Sequence, residues 1–181
     1  PSRFYVHERI FDRFAERLAG AARSLRVGDG MQEGVQMGPL NNQRRLLAAQ
    51  SLVDDACAGG ARVLAGGERI GTAGFFFAPT VLTQVAASAR LLVEEPFCPV
   101  APVMPFASLD DALRLANAST MGLAAYAFTN RLDHAAEFSE RVEAGWIGIN
   151  NFTPALADAP IAGLKESGLG MEGGPEGLDA Y

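Results

Sequence analysis

The segment Glu94-Glu95-Pro96-Phe97-Cys98-Pro99-Val100 decides how the middle of this 181-residue chain folds. Proline fixes φ and lacks an N–H donor, so two prolines this close together exclude a helix interior. The apolar run 100–106 that follows has the composition of a buried strand. We therefore predict a rigid turn that leads into a buried strand. The paired acids and the phenyl ring then lie at a strand end, where they could hold a polar ligand. The alternative is a solvated turn whose ring is only a buried anchor.

Strand and helix patterns alternate on both sides of this segment. Apolar residues recur at helical spacing after Ile10, after Asn42, after Ser108 and after Arg131. The pair Asn41-Asn42 can cap the second of these helices and Ser108 the third. Strand patterns occupy residues 4–6, 61–65, 75–82, 124–129 and 146–150, and the pattern over 75–82 is interrupted by Pro79. This alternation predicts an α/β fold with an open, mostly parallel sheet flanked by helices.

Two polar segments lie at predicted strand boundaries. In open parallel sheets, ligands bind beyond the carboxyl ends of strands. The pair Glu94-Glu95 and the segment Asn150-Asn151-Phe152 are therefore better candidates for a site than any residue inside a helix.

Composition excludes several classes of protein. The net charge of −6 argues against a nucleic-acid surface, and no apolar run reaches the roughly 20 residues that a membrane helix needs. Two cysteines form no disulfide framework, and two distant histidines indicate no metal site. We see no signal-peptide pattern, and we expect a cytoplasmic protein of one domain or two small lobes.

The glycine-rich segment 159–170 surrounds Lys165. It matches neither phosphate-loop spacing, because it lacks both Gly-Lys-Ser/Thr and Gly-x-Gly-x-x-Gly. It is either an irregular glycine loop or a tight loop packed against another part of the chain.

A set of motifs in this order resembles the NAD(P)-dependent aldehyde dehydrogenase family. The segment 94–100 resembles its Glu-Glu-x-Phe-Gly-Pro-Val, with Cys98 in place of Gly, and 159–170 resembles its Pro-Phe-Gly-Gly-x-Lys-x-Ser-Gly-x-Gly, with Ile161 in place of Phe. The other segments that carry the resemblance are 37–40, 77–82, 117–123 and 177–181.

The resemblance implies an enzyme that oxidises an aldehyde or semialdehyde to a carboxylic acid with NAD or NADP, through a cysteine thioester. It implies that Glu95 binds the ribose hydroxyls on the nicotinamide side of the cofactor and that Phe97 lies near the nicotinamide. The residues that it places along the aldehyde channel are Asn150, Phe152, Thr153 and Ile161.

The resemblance also implies that functional parts lie outside these residues. The nucleophilic cysteine is expected just before Pro1, and neither Cys57, which we interpret as a small structural residue, nor Cys98 occupies its position. We expect residues 1–149 to be part of the catalytic domain and 150–181 to be a carboxyl-terminal loop and helix that return toward the cofactor domain. The parent protein is expected to be a homodimer or homotetramer, and the chain by itself to be inactive.

Three questions stay open at this point. The sequence of residues 165–170 resembles that of the succinate-semialdehyde dehydrogenase branch. Ala155 argues against this branch, because it stands where those enzymes can offer a serine hydroxyl. The rival hypothesis is a truncated, inactive homologue that acts as an interaction or structural module. The choice between NAD and NADP would be made by residues in the other half of the parent protein.

Overall fold

Strands and helices alternate along the chain, as the sequence predicts. The structure is a computed structural model that describes residues 1–152 and 156–180. Contacts divide the chain into two units, Ser2–Phe106 and Ala107–Tyr181, and Pro1 is grouped with the second. Within the two described ranges, every helix is too short or too polar to span a bilayer.

The first unit contains three helices and four strands. In chain order they are β1 (Phe4–His7), α1 (Phe11–Ser24), α2 (Gln43–Ala58), β2 (Arg62–Ala65), β3 (Thr80–Thr83), α3 (Arg90–Val93) and β4 (Val100–Phe106). The strands form one sheet in the order β1-β4-β3-β2. The pairs β1–β4 and β3–β4 are parallel, and β2 pairs with β3 in the antiparallel direction. The prediction of an open, mostly parallel sheet is confirmed.

Different helices cover the two faces of this sheet. Val81 packs in one apolar cluster with the alanines of α1, whereas Leu82 packs in another with the apolar side of α2. Consecutive strand residues point to opposite faces. It follows that α1 lies on one face and α2 on the other, so that β3 is buried along its whole length.

Both predicted helix caps are present. The side-chain oxygen of Asn42 accepts a hydrogen bond from the Arg45 N–H at 3.0 Å, and the Ser108 hydroxyl accepts one from the Asp111 N–H at 3.2 Å. Each satisfies a donor that has no partner inside its own helix.

The structure refines two expectations about the first unit. The predicted interruption at Pro79 is present, because proline has no N–H to extend the ladder, and the strand begins only at Thr80, so that residues 75–79 do not belong to it. Phe77 is nevertheless 1% exposed and belongs to the core. Cys57 is exposed rather than packed, since it lies on the outer side of α2 near its end.

Among its described residues, the second unit contains two α-helices, six short strands and a terminal 3-10 helix. They are α4 (Leu109–Asn117), β5 (Met121–Gly122), β6 (Ala124–Ala127), α5 (Leu132–Arg141), β7 (Trp146–Ile149), β8 (Ile161–Ala162), β9 (Leu164–Lys165) and β10 (Met171–Glu172). β6 and β7 are parallel, whereas β5 pairs with β9 and β8 with β10 in the antiparallel direction. The predicted carboxyl-terminal helix is a 3-10 helix, Pro175–Ala180. β7, expected to be buried, is half-buried along its length.

Gly145 lets the backbone of β8 approach the start of β7. A Cβ atom at this position would lie 1.6 Å from the carbonyl oxygen of Ala162. The Gly145 N–H also donates to the Gly122 carbonyl oxygen at 3.0 Å, which holds the residue in place. Only glycine fits here, because the atoms in the way are backbone.

We predict that Gly145→Ala lowers the free energy of unfolding by about 3 kcal/mol, since the backbone must move to admit one methyl group. Urea unfolding followed by the fluorescence of Trp146, the single tryptophan, measures this. The matched control is Gly177→Ala, whose new Cβ would have its nearest neighbour at 3.5 Å. Equal midpoints for the two variants would contradict the proposed role of Gly145.

Candidate functional site

The loop between α3 and β4 carries Glu95 and Phe97. It begins after Val93 and ends where β4 starts at Val100. Because β3 and β4 run parallel, this loop lies at the amino-terminal edge of those strands. The sequence analysis expects ligands to bind beyond the carboxyl ends of strands. This loop lies at the amino ends of β3 and β4, so that expectation does not apply to it.

The two adjacent acids have different surroundings. Glu94 forms a bidentate ion pair with Arg90, with Nε–Oε1 at 2.6 Å and Nη2–Oε2 at 3.1 Å. This hydrogen bonding lowers the pKa of Glu94 below its ordinary value. Glu95 is exposed and has no hydrogen-bond or ion-pair partner in the part of the chain that is described. Of the pair, only Glu95 is available to an incoming donor, and a carboxylate can accept both hydroxyls of a diol.

Phe97 is held in an unusual backbone conformation. Its φ is +37°, which is rare for a residue with a side chain. The ring is 65% exposed, so it is not the buried anchor that the alternative interpretation requires. The Arg45 guanidinium carbon lies 5.4 Å from the ring centroid, within the range of a cation–π contact. A strained backbone that presents an apolar ring to solvent is typical of a ligand site.

A shallow pocket of about 330 Å³ lies beside this loop. It is lined by the turn 37–40, by Phe77 and by the segment 97–99. The turn and the loop are both segments that the sequence singles out as motifs, and the fold of the first unit brings them together. The Phe97 ring forms part of the pocket lining, and Glu95 lies two residues before it on the same loop.

Asn150 follows the carboxyl end of β7, where the sequence places it. Its amide bonds to Thr129: Nδ2 donates to the Thr129 carbonyl at 2.8 Å, and the Thr129 N–H donates to Oδ1 at 2.8 Å. Its φ of +55° is one that asparagine tolerates. The side chain ties together the exits of β6 and β7, which leaves one amide proton for another acceptor.

Phe152 packs within an aromatic cluster, with its ring centroid 5.2 Å from that of Tyr126 and 4.6 Å from that of Phe128. Half of its surface stays exposed. Tyr126 pairs with Gly148 across the strands, and a Cβ on Gly148 would lie 2.6 Å from the tyrosine ring. The sequence did not predict this contact between Tyr126 and Gly148, because the register of β6 and β7 cannot be read from the residues.

Ile161 lies in β8, opposite Glu172 of β10, and is half-buried. Thr153, the remaining residue predicted for the aldehyde channel, lies outside the described residues, as does Ala155.

Lys165, the single lysine of the chain, anchors the glycine-rich segment. Its Nζ donates to the carbonyl oxygens of Asn117 at 2.8 Å and Ser119 at 2.9 Å, beyond the end of α4. It also pairs with Glu143 at 2.5 Å. The expectation of a tight loop packed against another part of the chain is confirmed, and the lysine makes structural bonds rather than phosphate-loop contacts.

We predict that Lys165→Met lowers the free energy of unfolding by about 2 kcal/mol, since charged hydrogen bonds to two carbonyls are lost. Glu143→Gln should cost clearly less, because it removes only an ion pair whose acid is 53% exposed. Urea titrations of both variants test this. An equal loss in the two would mean that the ion pair, and not the carbonyl bonds, anchors the segment.

Comparison with known proteins identifies the family. The aldehyde dehydrogenase family model matches residues 1–181. The chain belongs to the aldehyde dehydrogenase family.

Relatives match across almost the whole chain. It is 42% identical to 3-sulfolactaldehyde dehydrogenase of Pseudomonas putida, over 99% of this chain and 37% of that protein. It is 41% identical to a probable NADP(+) succinate-semialdehyde dehydrogenase of Sinorhizobium fredii, with the same coverage. A crystal structure of betaine aldehyde dehydrogenase from Staphylococcus aureus with NAD+ superposes with a TM-score of 0.94 and 36% identity, over 99% of this chain and 37% of that one. The chain thus spans about 37% of the length of these relatives.

Cys98 has the surroundings of a packed thiol. Burial raises the pKa of Cys98 to about 11, and the backbone hydrogen bond from Val100 and the nearby Arg45 charge offset this only in part. Its side chain packs against the apolar cluster beneath α2. A nucleophilic cysteine needs its thiolate at neutral pH, which this pKa disfavours.

We predict that iodoacetamide at pH 8 labels the exposed Cys57 well before Cys98, because only about one Cys98 in a thousand is then ionised. Peptide mass spectrometry measures the two rates, and the rate at Cys98 should keep rising up to about pH 11. In urea both cysteines should react alike. Fast labelling of folded Cys98 at pH 8 would show that its thiol is activated.

Proposed function

We propose that this chain is the carboxyl-terminal catalytic part of an NAD(P)-dependent aldehyde dehydrogenase. The parent enzyme oxidises an aldehyde or semialdehyde to a carboxylic acid through a cysteine thioester, and the nucleophile lies outside these 181 residues. The observation that carries the proposal is the loop between α3 and β4, which presents the unpartnered Glu95 and the exposed ring of Phe97 beside a pocket. The family match over the full chain supports it.

Each of these residues has one role in the proposed reaction. The Glu95 carboxylate accepts hydrogen bonds from the ribose hydroxyls and fixes where the nicotinamide lies. The Phe97 ring, on the same loop, offers an apolar surface to the nicotinamide side. The bound NAD or NADP supplies the hydride acceptor. Precise orientation matters, because a misplaced reacting group costs rate even when binding survives.

The substrate side rests on a second set of residues. We propose that Asn150, Phe152, Thr153 and Ile161 contribute to the aldehyde channel. Asn150 keeps one amide proton for a substrate oxygen, and Phe152 keeps half of its surface for apolar contact. The names of two relatives, a sulfolactaldehyde and a succinate-semialdehyde dehydrogenase, make an aldehyde with a distal anionic group the substrate to test first.

The remaining features of the parent protein follow the family. We propose that residues 1–149 are part of its catalytic domain and that 150–181 return toward the cofactor domain. We further propose a homodimer or homotetramer in the cytoplasm, where the two free cysteines would stay reduced.

A second candidate function is an inactive interaction module. Leu132, Leu169 and Leu178 of the second unit are 74% to 102% exposed, and exposed apolar side chains favour association. Activity of the full-length protein separates the two hypotheses, because an interaction module would form no NAD(P)H.

The chain alone should form no NADH or NADPH from propanal or succinic semialdehyde, because the proposed nucleophile lies outside it and burial disfavours the thiolate of Cys98. Absorbance at the reduced-cofactor band follows the reaction. Turnover that disappears in Cys98→Ala would overturn the assignment of the nucleophile to another part of the protein.

In the full-length enzyme, Glu95→Gln should weaken cofactor positioning and slow hydride transfer. The free-energy barrier should rise by roughly 1–3 kcal/mol, the value of one charged hydrogen-bond partner. Single-turnover kinetics and cofactor titration measure the two effects. Glu68→Gln is a matched control, since Glu68 is also exposed and lies away from the loop in sequence. Unchanged rate and affinity in Glu95→Gln would remove this residue from the site.

A further inference from the structure

Arg45 is a half-buried cation without an acid. It lies in the first turn of α2, and its guanidinium has no hydrogen-bond or ion-pair partner among the described residues. By contrast, the half-buried Arg3 donates to a carbonyl, and Arg90, Arg131 and Arg141 reach carboxylates. The contact that the structure gives the Arg45 guanidinium is the face of Phe97, at 5.4 Å.

Arg45 is held firmly at its backbone. Its N–H donates to the Asn42 cap at 3.0 Å, and the next residue, Leu46, is buried in the core beneath α2. The cation therefore projects from a fixed point. A guanidinium is planar and stacks well on aromatic faces, so it can restrict how the ring turns.

Phe97 needs such a restraint. The ring is 65% exposed and follows a backbone with φ of +37°, so little apolar packing limits its orientation. Arg45 lies over the ring, so its guanidinium can limit the exchange of this side chain between rotamers.

We propose that Arg45 is a positioning residue that sets the orientation of the Phe97 ring for the cofactor. The proposal rests on the proposed function, because it assigns Arg45 a role in the same cofactor site. Since Arg45 acts through the ring, its removal should matter only while the ring is present. A cation–π contact at a half-exposed site corresponds to about a three- to tenfold change in affinity.

The test is a double-mutant cycle in the full-length enzyme, with Arg45→Met, Phe97→Leu and the double variant. NADH or NADPH is titrated by fluorescence, and kcat, KM for cofactor and the melting temperature are recorded. We expect Arg45→Met to weaken cofactor binding about three- to tenfold with an unchanged melting temperature, and to add nothing once Phe97 is leucine. Arg45→Lys, which keeps the charge but not the planar stack, should be intermediate. The exposed neighbour Arg44→Met serves as the control.

The outcomes separate this inference from the function on which it rests. If Phe97→Leu and Glu95→Gln both leave cofactor affinity unchanged, the loop is not a cofactor site and the proposed function fails. If those variants weaken binding and Arg45→Met does not, only the role of Arg45 fails. An equal effect of Arg45→Met in both backgrounds would show that Arg45 acts without the ring, and this would also overturn the inference.

Discussion

The pairing of β4 with two parallel neighbours is the constraint on which the first unit depends. β4 hydrogen-bonds β1 on one side and β3 on the other, and Val100, Val103 and Met104 are buried in it. β3 pairs with the amino half of β4, residues 100–102, and β1 with its carboxyl half, residues 103–106. The loop that enters β4 is anchored by the buried Pro96 and by the Cys98 carbonyl, which accepts a hydrogen bond from the Val100 N–H at 2.8 Å. The exposed side chains of Glu95 and Phe97 lie on either side of that buried proline.

Packing gives neighbouring residues of this loop different surroundings. Arg90 forms an ion pair with Glu94, whereas Glu95 has no partner in the described part of the chain. Burial suppresses ionisation of the Cys98 thiol, while Phe97, one residue earlier, remains in solvent. The loop therefore has neutral packing on its buried side and exposed groups on its solvent side.

In the second unit, close contacts at glycines and backbone carbonyls hold the short strands together, as the four-stranded sheet holds the first unit together. Gly145 admits the Ala162 carbonyl, Lys165 binds the carbonyl oxygens beyond α4, and Gly148 makes room for the Tyr126 ring. These contacts hold the segments that flank Asn150 and Phe152. Two of the four residues predicted for the substrate channel make structural contacts: Asn150 bridges β6 and β7 through Thr129, and Phe152 packs on two aromatic rings.

The sequence by itself determined the α/β class, the caps at Asn41-Asn42 and at Ser108, the turn before β4 and the family, because periodicity, capping and motif order are local properties of the chain. It could not show which acid of the pair is free, which of the two asparagines caps α2, or that Asn150 is bonded to Thr129. Nor could it place Arg45 against Phe97, since no local pattern links two residues so far apart in the chain. Tertiary structure decided these points, because each depends on which side chains the packing of helices on the sheet brings within reach.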